Sequence, residues 1–205
     1  KAGSWSIARS SRARRPWMEL DAVRPEVSVL MPMRNAADHV AAAIESVLDP
    51  ADRAIELVVV DDGSDDRSSE IVRSFSDDRI VLLDGPCHGI SACLNVALDA
   101  ARAPVVMRCD ADDLYVPGRI AWQLEWLQRH PHCVAVAASF EMIDAHGRGL
   151  RDLTPSIGLH ATDITEELRA GHSRTHLATF AIRTEVARSL GGSDPRFRPA
   201  ADADF

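Results

Sequence analysis

Three carboxylates crowd one short stretch of the chain: Asp110, Asp112 and Asp113, in the run Met-Arg-Cys-Asp-Ala-Asp-Asp. Like charges this close repel one another unless they are solvated, hydrogen-bonded or bound to a cation. Mg2+ and Mn2+ take oxygen ligands, and Mg2+ commonly uses one or two carboxylates together with phosphate oxygens of a substrate. An Asp-x-Asp after an apolar strand therefore suits a divalent ion that bridges to a diphosphate. The plainer alternative is a solvated loop with a helix-capping acid. A second acidic run, Asp61-Asp62-Gly63-Ser64-Asp65, also follows an apolar stretch. A carboxylate there could accept from a base N–H or a ribose hydroxyl, and Gly63 lets the backbone turn sharply. A strand-to-helix turn with an N-cap would explain the same residues.

Other residues could serve the same chemistry. Pro32-Met33-Arg34-Asn35 could set backbone against a ligand, with Arg34 reaching a phosphate. His88-Gly89-Ile90-Ser91 precedes a helix start, a place suited to anions, although a lone His there is more often a surface residue. Near the end, Asp202 or Asp204 could take a proton from an acceptor hydroxyl as general base, or be a solvated pair.

Positioning these groups requires strands and helices in alternation, and the hydrophobic periodicity supplies them. Strands are expected at 27–31, closed by Pro32, and at 55–60, 80–83, 105–107, 133–138 and 177–182. Helices are expected after Asp38 (Val40, Ile44, Val47 and Leu48 inward), after Asp65 or Asp66 (Ile71, Val72, Phe75), after Gly89 (Ile90, Leu94, Ala97, Leu98, Ala101) and with Pro117 in the first turn (Ile120, Leu124, Leu127). Residues 144–147 read as a hairpin-type turn, 162–170 as a helix, and a short helix ends at Gly191-Gly192. Strand-helix alternation with short connections argues for an α/β domain with a mostly parallel sheet. Ligands of such sheets bind beyond the carboxyl ends of the strands, where both acidic runs fall.

A chain of 205 residues with 46% hydrophobic and 26% charged residues can build one sizeable core. Its net charge of -8 argues against a nucleic-acid partner. The only basic stretch, from Arg9 to Arg15, belongs to residues 1–25, expected to be a flexible basic arm. Cys87, Cys93, Cys109 and Cys133 form no C-x-x-C pair, which suits reduced thiols in the cytoplasm. No run is long and apolar enough for a membrane span. The first residue is not Met, and Phe205 falls inside an unfinished segment, so a longer protein with a missing C-terminal part is expected.

Taken together and in order, the blocks are more specific than any one of them. Val-Ser-Val-Leu-Met-Pro-Met-Arg-Asn, Val-Val-Val-Asp-Asp-Gly-Ser-Asp-Asp, Gly-Ile-Ser-Ala-Cys-Leu-Asn, Met-Arg-Cys-Asp-Ala-Asp-Asp, Trp-Leu-Gln-Arg-His-Pro, Leu-Gly-Gly-Ser-Asp-Pro-Arg-Phe and Ala-Asp-Ala-Asp-Phe closely resemble the family 2 glycosyltransferases. The resemblance implies a GT-A fold over 26–205, a Rossmann-like, mostly parallel mixed sheet flanked by helices. It also implies inverting transfer of a sugar from a nucleoside diphosphate, often UDP, to a glycan or lipid-linked acceptor in polysaccharide synthesis. Pro32 and Arg34 would border the nucleoside, and Asp62 would bond the base. Asp110 would lie near the ribose or a metal-bound water, Asp112 would be the direct ligand of Mn2+ or Mg2+, and Asp113 would stand behind it. Arg108 and His176 would lie by the donor, and Asp202 would be the base. The residue before Asp202 is Ala201 where the family has Glu, which leaves Asp204 as a competitor and keeps open an inactive nucleotide-binding or scaffold domain. A sugar nucleotidyltransferase is the other alternative, but the loop after the first strand lacks the Gly-rich, basic character a triphosphate calls for. The cytoplasm is the expected location, with peripheral membrane contact an option through the missing segment.

Overall fold

A computed structural model of the chain describes residues 24–48, 54–144, 146–150, 161–172, 175–194 and 196. The expected arm, apart from residues 24 and 25, and the candidate bases Asp202 and Asp204 lie outside the described residues. Six strands form one sheet: β1 (Val27–Met33), β2 (Ile55–Asp61), β3 (Ile80–Asp84), β4 (Val105–Arg108), β5 (Ala135–Ala137) and β6 (Phe180–Arg183). Their order is β3-β2-β1-β4-β6-β5. The first four run parallel, while β6 is antiparallel to both β4 and β5. Helices α1 (Val40–Leu48), α2 (Ser68–Ser74), α3 (Ile90–Ala100), α4 (Arg119–Arg129), α5 (Thr165–Arg169) and α6 (Thr184–Ser189) complete the described elements. This is the mixed, mostly parallel α/β architecture that the sequence predicts.

Period-2 alternation divides the core between the two faces of the sheet. Val27, Val29, Met31 and Met33 of β1, with Leu57 and Val59 of β2 and Val105 and Met107 of β4, pack against α1, α2 and α4. Leu30, Val58, Val60 and Val106 point the other way, to Leu94, Ala97 and Leu98 of α3 and Ala187 of α6. Burial on both faces explains why the central strands read as nearly unbroken apolar runs. α1 contributes Val40, Ala43, Ile44, Val47 and Leu48, the one-sided spacing of an amphipathic helix.

Some boundaries differ from expectation. Pro32 does not end β1 but sits inside it, opposite Val60 of β2. Pairing of β1 with β4 stops at Leu30↔Arg108, and the Leu30 carbonyl accepts from the Cys109 N–H at 3.1 Å. Main-chain groups at 30 and 32 face the same side, so Pro32 lacks its N–H just where no β4 partner is left to accept it. The expected strand 177–182 is a 3-10 turn, Leu177–Thr179, followed by β6. Pro117 stands before α4 rather than in its first turn, because Gly118 enters the helix with a left-handed φ of 81°. At the expected hairpin, 144–147, Ile143 and Gly149 form an antiparallel bridge and the Gly147 N–H donates to the Asp144 carbonyl at 2.8 Å, while residue 145 lies outside the described residues.

At the opposite edge of the sheet a buried acid fastens three segments. Glu56 accepts from Ser28 Oγ at 2.5 Å, from the Arg102 N–H at 2.5 Å and from Arg102 Nε at 2.7 Å. Ser28 Oγ in turn accepts from the Ala103 N–H at 3.0 Å. Burial alone would raise the Glu56 pKa, but the Ser28 and Arg102 bonds together bring it below the ordinary carboxylate value. A lowered acid stabilises the fold above its unfolded pKa and loses that contribution as pH falls through the folded value. Replacing Glu56 by Ala leaves the buried Ser28 hydroxyl and the Arg102 N–H without their acceptor and is expected to cost about 1–3 kcal/mol near neutral pH. Denaturant melts of the two proteins should converge in acid; a pH-independent gap would show that the charge is not what Glu56 contributes.

Candidate active site

The loops that follow β1 and β2 are stitched together by short polar side chains. The Asn35 N–H donates to Ser64 Oγ (2.9 Å), and the Asp65 N–H returns to Asn35 Oδ1 (2.9 Å). The Ala36 N–H donates to Ser68 Oγ (2.8 Å), and the Ala37 N–H to Asp66 Oδ2 (3.0 Å). Asn35 holds a φ of 51°, a left-handed conformation that Asn tolerates better than most residues. Neither acid expected to cap α2 is its N-cap, which is Arg67; Asp66, one residue earlier, accepts from the Ser68 N–H at 2.9 Å. Asp61 holds its own turn through the Ser64 N–H at 2.9 Å and the Ser69 hydroxyl.

Asp62 is buried and spans to a third segment. Its Oδ1 accepts from the His88 N–H at 3.2 Å and its Oδ2 from the Gly89 N–H at 2.8 Å. The carboxylate thereby ties the end of β2 to the start of α3. Gly63 next to it has φ +81°, and a β-carbon there would lie 2.7 Å from Cys87 Sγ, so the tight turn excludes side chains twice over.

The acid loop after β4 folds around Cys109, whose Sγ lies 3.6 Å from the Asp110 carbonyl and 3.8 Å from that of Asp113. Buried Arg108 forks onto Asp110, with Nε to Oδ1 and Nη2 to Oδ2 both at 2.7 Å. Tyr115 closes the loop by donating its hydroxyl to the Arg108 carbonyl at 2.7 Å. The three acids therefore stand in different states. Asp110 is neutralised by its arginine. Asp112 is exposed, and no side-chain partner holds its carboxylate among the described residues. Asp113 is exposed as a residue, yet its pKa is pushed up to about 6 by partial desolvation of its carboxyl and then by Asp110 and Asp112, while His176 and Arg108 ease the effect.

Between these loops lies a cleft of about 300 Å3, lined by Pro32, Arg34, Asn35, Ala36, His39, Ile90, Asp110, Ala111 and Asp112. It occupies the switch point of the sheet, where the chain, having built β1, β2 and β3 in one direction, returns to lay β4 on the other side of β1. Four of the sequence-predicted residues, Pro32, Arg34, Asp110 and Asp112, meet there. Asp62 is turned to the main chain at 88–89. Arg108 lies behind Asp110 and lines a separate, apolar cavity of about 40 Å3 under α3. His176 is exposed and does not line the cleft, its ring edge-on to Phe140 at 6.0 Å. Asn35 and Ile90, each inside a run singled out in the sequence, also line the cleft, as does His39, which nothing in its spacing distinguishes from other loop residues. Among the described residues no three His, Cys, Asp or Glu side chains form a closed metal cage. One open carboxylate beside a neutralised one fits an ion that shares its remaining positions with phosphate oxygens and water.

The glycosyl transferase family 2 profile matches residues 28–187, and the chain belongs to that family. It is 34% identical over 190 residues to the putative glycosyltransferase EpsE of Bacillus subtilis, covering 88% of this chain and 65% of EpsE. It is 29% identical over 103 residues to the Escherichia coli UDP-Glc:alpha-D-GlcNAc-diphosphoundecaprenol beta-1,3-glucosyltransferase WfaP, covering 50% of this chain and 41% of WfaP. In three dimensions it matches S. aureus TarS in complex with UDP-GlcNAc (TM-score 0.70, 18% identity, 87% of this chain and 51% of TarS). It also matches the mannosyltransferase PcManGT of Pyrobaculum calidifontis in complex with GDP-Man and Mn2+ (TM-score 0.64, 22% identity, 89% of this chain and 51% of PcManGT). These likenesses show the GT-A fold. The chain spans less than two thirds of the length of the relatives it matches. No helix among the described residues is long and apolar enough to cross a membrane.

The raised Asp113 pKa has a measurable consequence in the metal-free protein. An acid raised in the folded state destabilises the fold above that pKa, and the penalty fades as pH falls toward the unfolded value. Asp113→Asn is expected to raise the thermal midpoint above pH 6 and to leave it unchanged near pH 4. A gain equally large at both pH values would place the strain elsewhere than in the charge.

Proposed function

We propose that the chain is the catalytic domain of an inverting, metal-dependent glycosyltransferase that moves a sugar from a nucleoside diphosphate, most simply UDP, to an acceptor hydroxyl. The observation that carries this reading is the shared cleft, with Arg34 on one wall, Asp110 and Asp112 on the other, and the divergence of β1 and β4 between them. The printed names of relatives support it: WfaP is a UDP-Glc-dependent enzyme acting on a diphosphoundecaprenol-linked sugar, and PcManGT was solved with GDP-Man and Mn2+. A lipid-linked or glycan acceptor, a role in polysaccharide synthesis and a peripheral place at the inner face of the membrane belong to the same proposal.

Asp112 would hold Mn2+ or Mg2+, with Asp110 beside it. When bound, such an ion offsets negative charge on a leaving diphosphate. The protein's own part is to hold and orient. Pro32, Arg34 and Asn35 border the nucleoside, Asp62 keeps the α3 start in register with that pocket and offers its remaining lone pairs to the base, and Arg108 fixes the rotamer of Asp110. Asp202 takes the proton of the acceptor hydroxyl as its oxygen bonds to the anomeric carbon. The bond from that carbon to the diphosphate oxygen breaks on the opposite face, and the nucleotide leaves with the electron pair. A base of this kind contributes about 10²–10⁴-fold.

Calorimetry of UDP with and without Mn2+ tests the donor half. Wild type should bind only with the ion, and Asp112→Ala should abolish the ion's effect. Failure of wild type to bind UDP or GDP under any condition would favour a scaffold role. Asp202→Asn should lower turnover at least about 100-fold while donor binding persists; full activity in that variant would pass the role of base to Asp204.

A further inference from the structure

The cleft accommodates only part of a nucleoside-diphosphate sugar. None of its lining residues comes from β6 or from the 3-10 turn before it. With the nucleoside between the β1 and β4 loops and the diphosphate at Asp110 and Asp112, the sugar must extend past the acids. The segment 176–180 is tied to the acid loop through Arg119, which donates to the Ala178 carbonyl and lies over the Tyr115 ring.

That segment does not hold itself in place. Its carbonyls are gripped by two side chains of α4. Arg119 Nη2 donates to the Ala178 carbonyl at 2.6 Å, and Gln123 Nε2 donates to the Thr179 carbonyl at 2.9 Å and to the Val136 carbonyl at 2.8 Å. Arg119 Nε donates to Gln123 Oε1 at 3.0 Å, which orients the amide. Within the turn, the Thr179 N–H and hydroxyl both reach the His176 carbonyl, at 2.8 and 2.6 Å. The same guanidinium lies over the Tyr115 ring, 3.9 Å from its centroid. Tyr115 is the residue that closes the acid loop onto the Arg108 carbonyl.

Resting on the donor reading above, we propose that Arg119 is a positioning residue for the transferred sugar. Its guanidinium lies over the ring that braces the acid loop while one nitrogen holds the Ala178 carbonyl, so it sets the distance between the two, the gap in which the hexosyl group lies. A lysine at 119 would keep the charge but could not stack a planar fork on Tyr115 while donating in two directions. The nucleotide cleft, by contrast, receives no contact from this group, so loss of Arg119 separates recognition of the sugar from recognition of the nucleotide.

The test is calorimetric titration, with Mn2+, of UDP and of UDP-glucose or UDP-GlcNAc into wild type, Arg119→Lys and Arg119→Ala. GDP and GDP-mannose replace them if wild type prefers GDP. Both variants are expected to bind the free nucleotide within about twofold of wild type and to lose about tenfold for the nucleotide sugar, the scale of a charge-assisted hydrogen bond. Equal losses for both ligands, or none, would overturn the assignment. A second measurement needs no variant: hydrogen exchange in wild type should slow at 177–180 with the nucleotide sugar but not with the nucleotide alone, and identical protection would also overturn it. Wild type that binds no nucleotide at all would sink the donor reading itself, a result distinct from either failure.

Discussion

β1 stops pairing with β4 at Leu30, and the site depends on that divergence. Up to that residue the two strands form a parallel ladder buried on both faces. Beyond it, β1 continues for three residues on β2 alone, with Pro32 placed where a donor would have no acceptor. The two chains then part, and the opening between them becomes the cleft. A ligand placed here meets loop residues from both strands while resting on a rigid, close-packed sheet. The wall carrying Arg34 is no looser than the sheet, because Ser64, Asp66 and Ser68 hold the main chain at 35–37 through bonds of 2.8–3.0 Å. Precision at the ligand thus follows from hydroxyl and carboxylate side chains one loop away, which never touch it.

Electrostatics then separates acids that are neighbours in sequence. Desolvating several like charges together is costly, and each acid escapes that cost differently. Asp61 and Asp62 are surrounded by hydroxyl and main-chain donors, so they act as fasteners for loops. Asp110 is matched by Arg108, whose buried fork also prevents the carboxylate from rotating. Asp113 has its pKa raised by loss of water around its carboxyl first and by repulsion from the charges of Asp110 and Asp112 second. A divalent cation would relieve that repulsion directly. The loop therefore combines an acid fixed by its arginine, an exposed acid without a side-chain partner among the described residues and an acid whose ionisation is disfavoured.

Much of this is legible in the residues alone. The strands are readable because burial on both faces writes them as apolar runs, and the helices because Val40, Ile44, Val47 and their counterparts repeat at helical spacing. Clustering of Pro32, Arg34, Asp110 and Asp112 follows from topology, since a parallel sheet brings the ends of its strands to one edge. How side chains share out their bonds stays hidden. Nothing in Val-Asp-Asp-Gly-Ser tells that Asp62 spends both oxygens on the backbone at 88–89, nor that Arg108 turns behind the acids. His39 enters the cleft unannounced because a turn, not a periodic pattern, aims it. The 3-10 turn at 177–179 looks like strand in the sequence because its residues are apolar and buried, a property that both conformations satisfy.

The two halves of the site differ in how they are built, and the difference bears on what can vary. The nucleotide half rests on consecutive parallel strands and on loops that bond one another locally in space, so its geometry is set by the strand order itself. The other half hangs on an antiparallel strand, a single 3-10 turn and two long side chains reaching across from α4. A change of one residue in the first half disturbs the sheet, whereas a change in the second repositions a wall by the length of a side chain. On the proposed donor reading, such a scaffold would keep the common part of the ligand, a nucleoside diphosphate, on rigid ground and meet the variable part, the sugar, with elements that can be re-aimed at small cost to the fold.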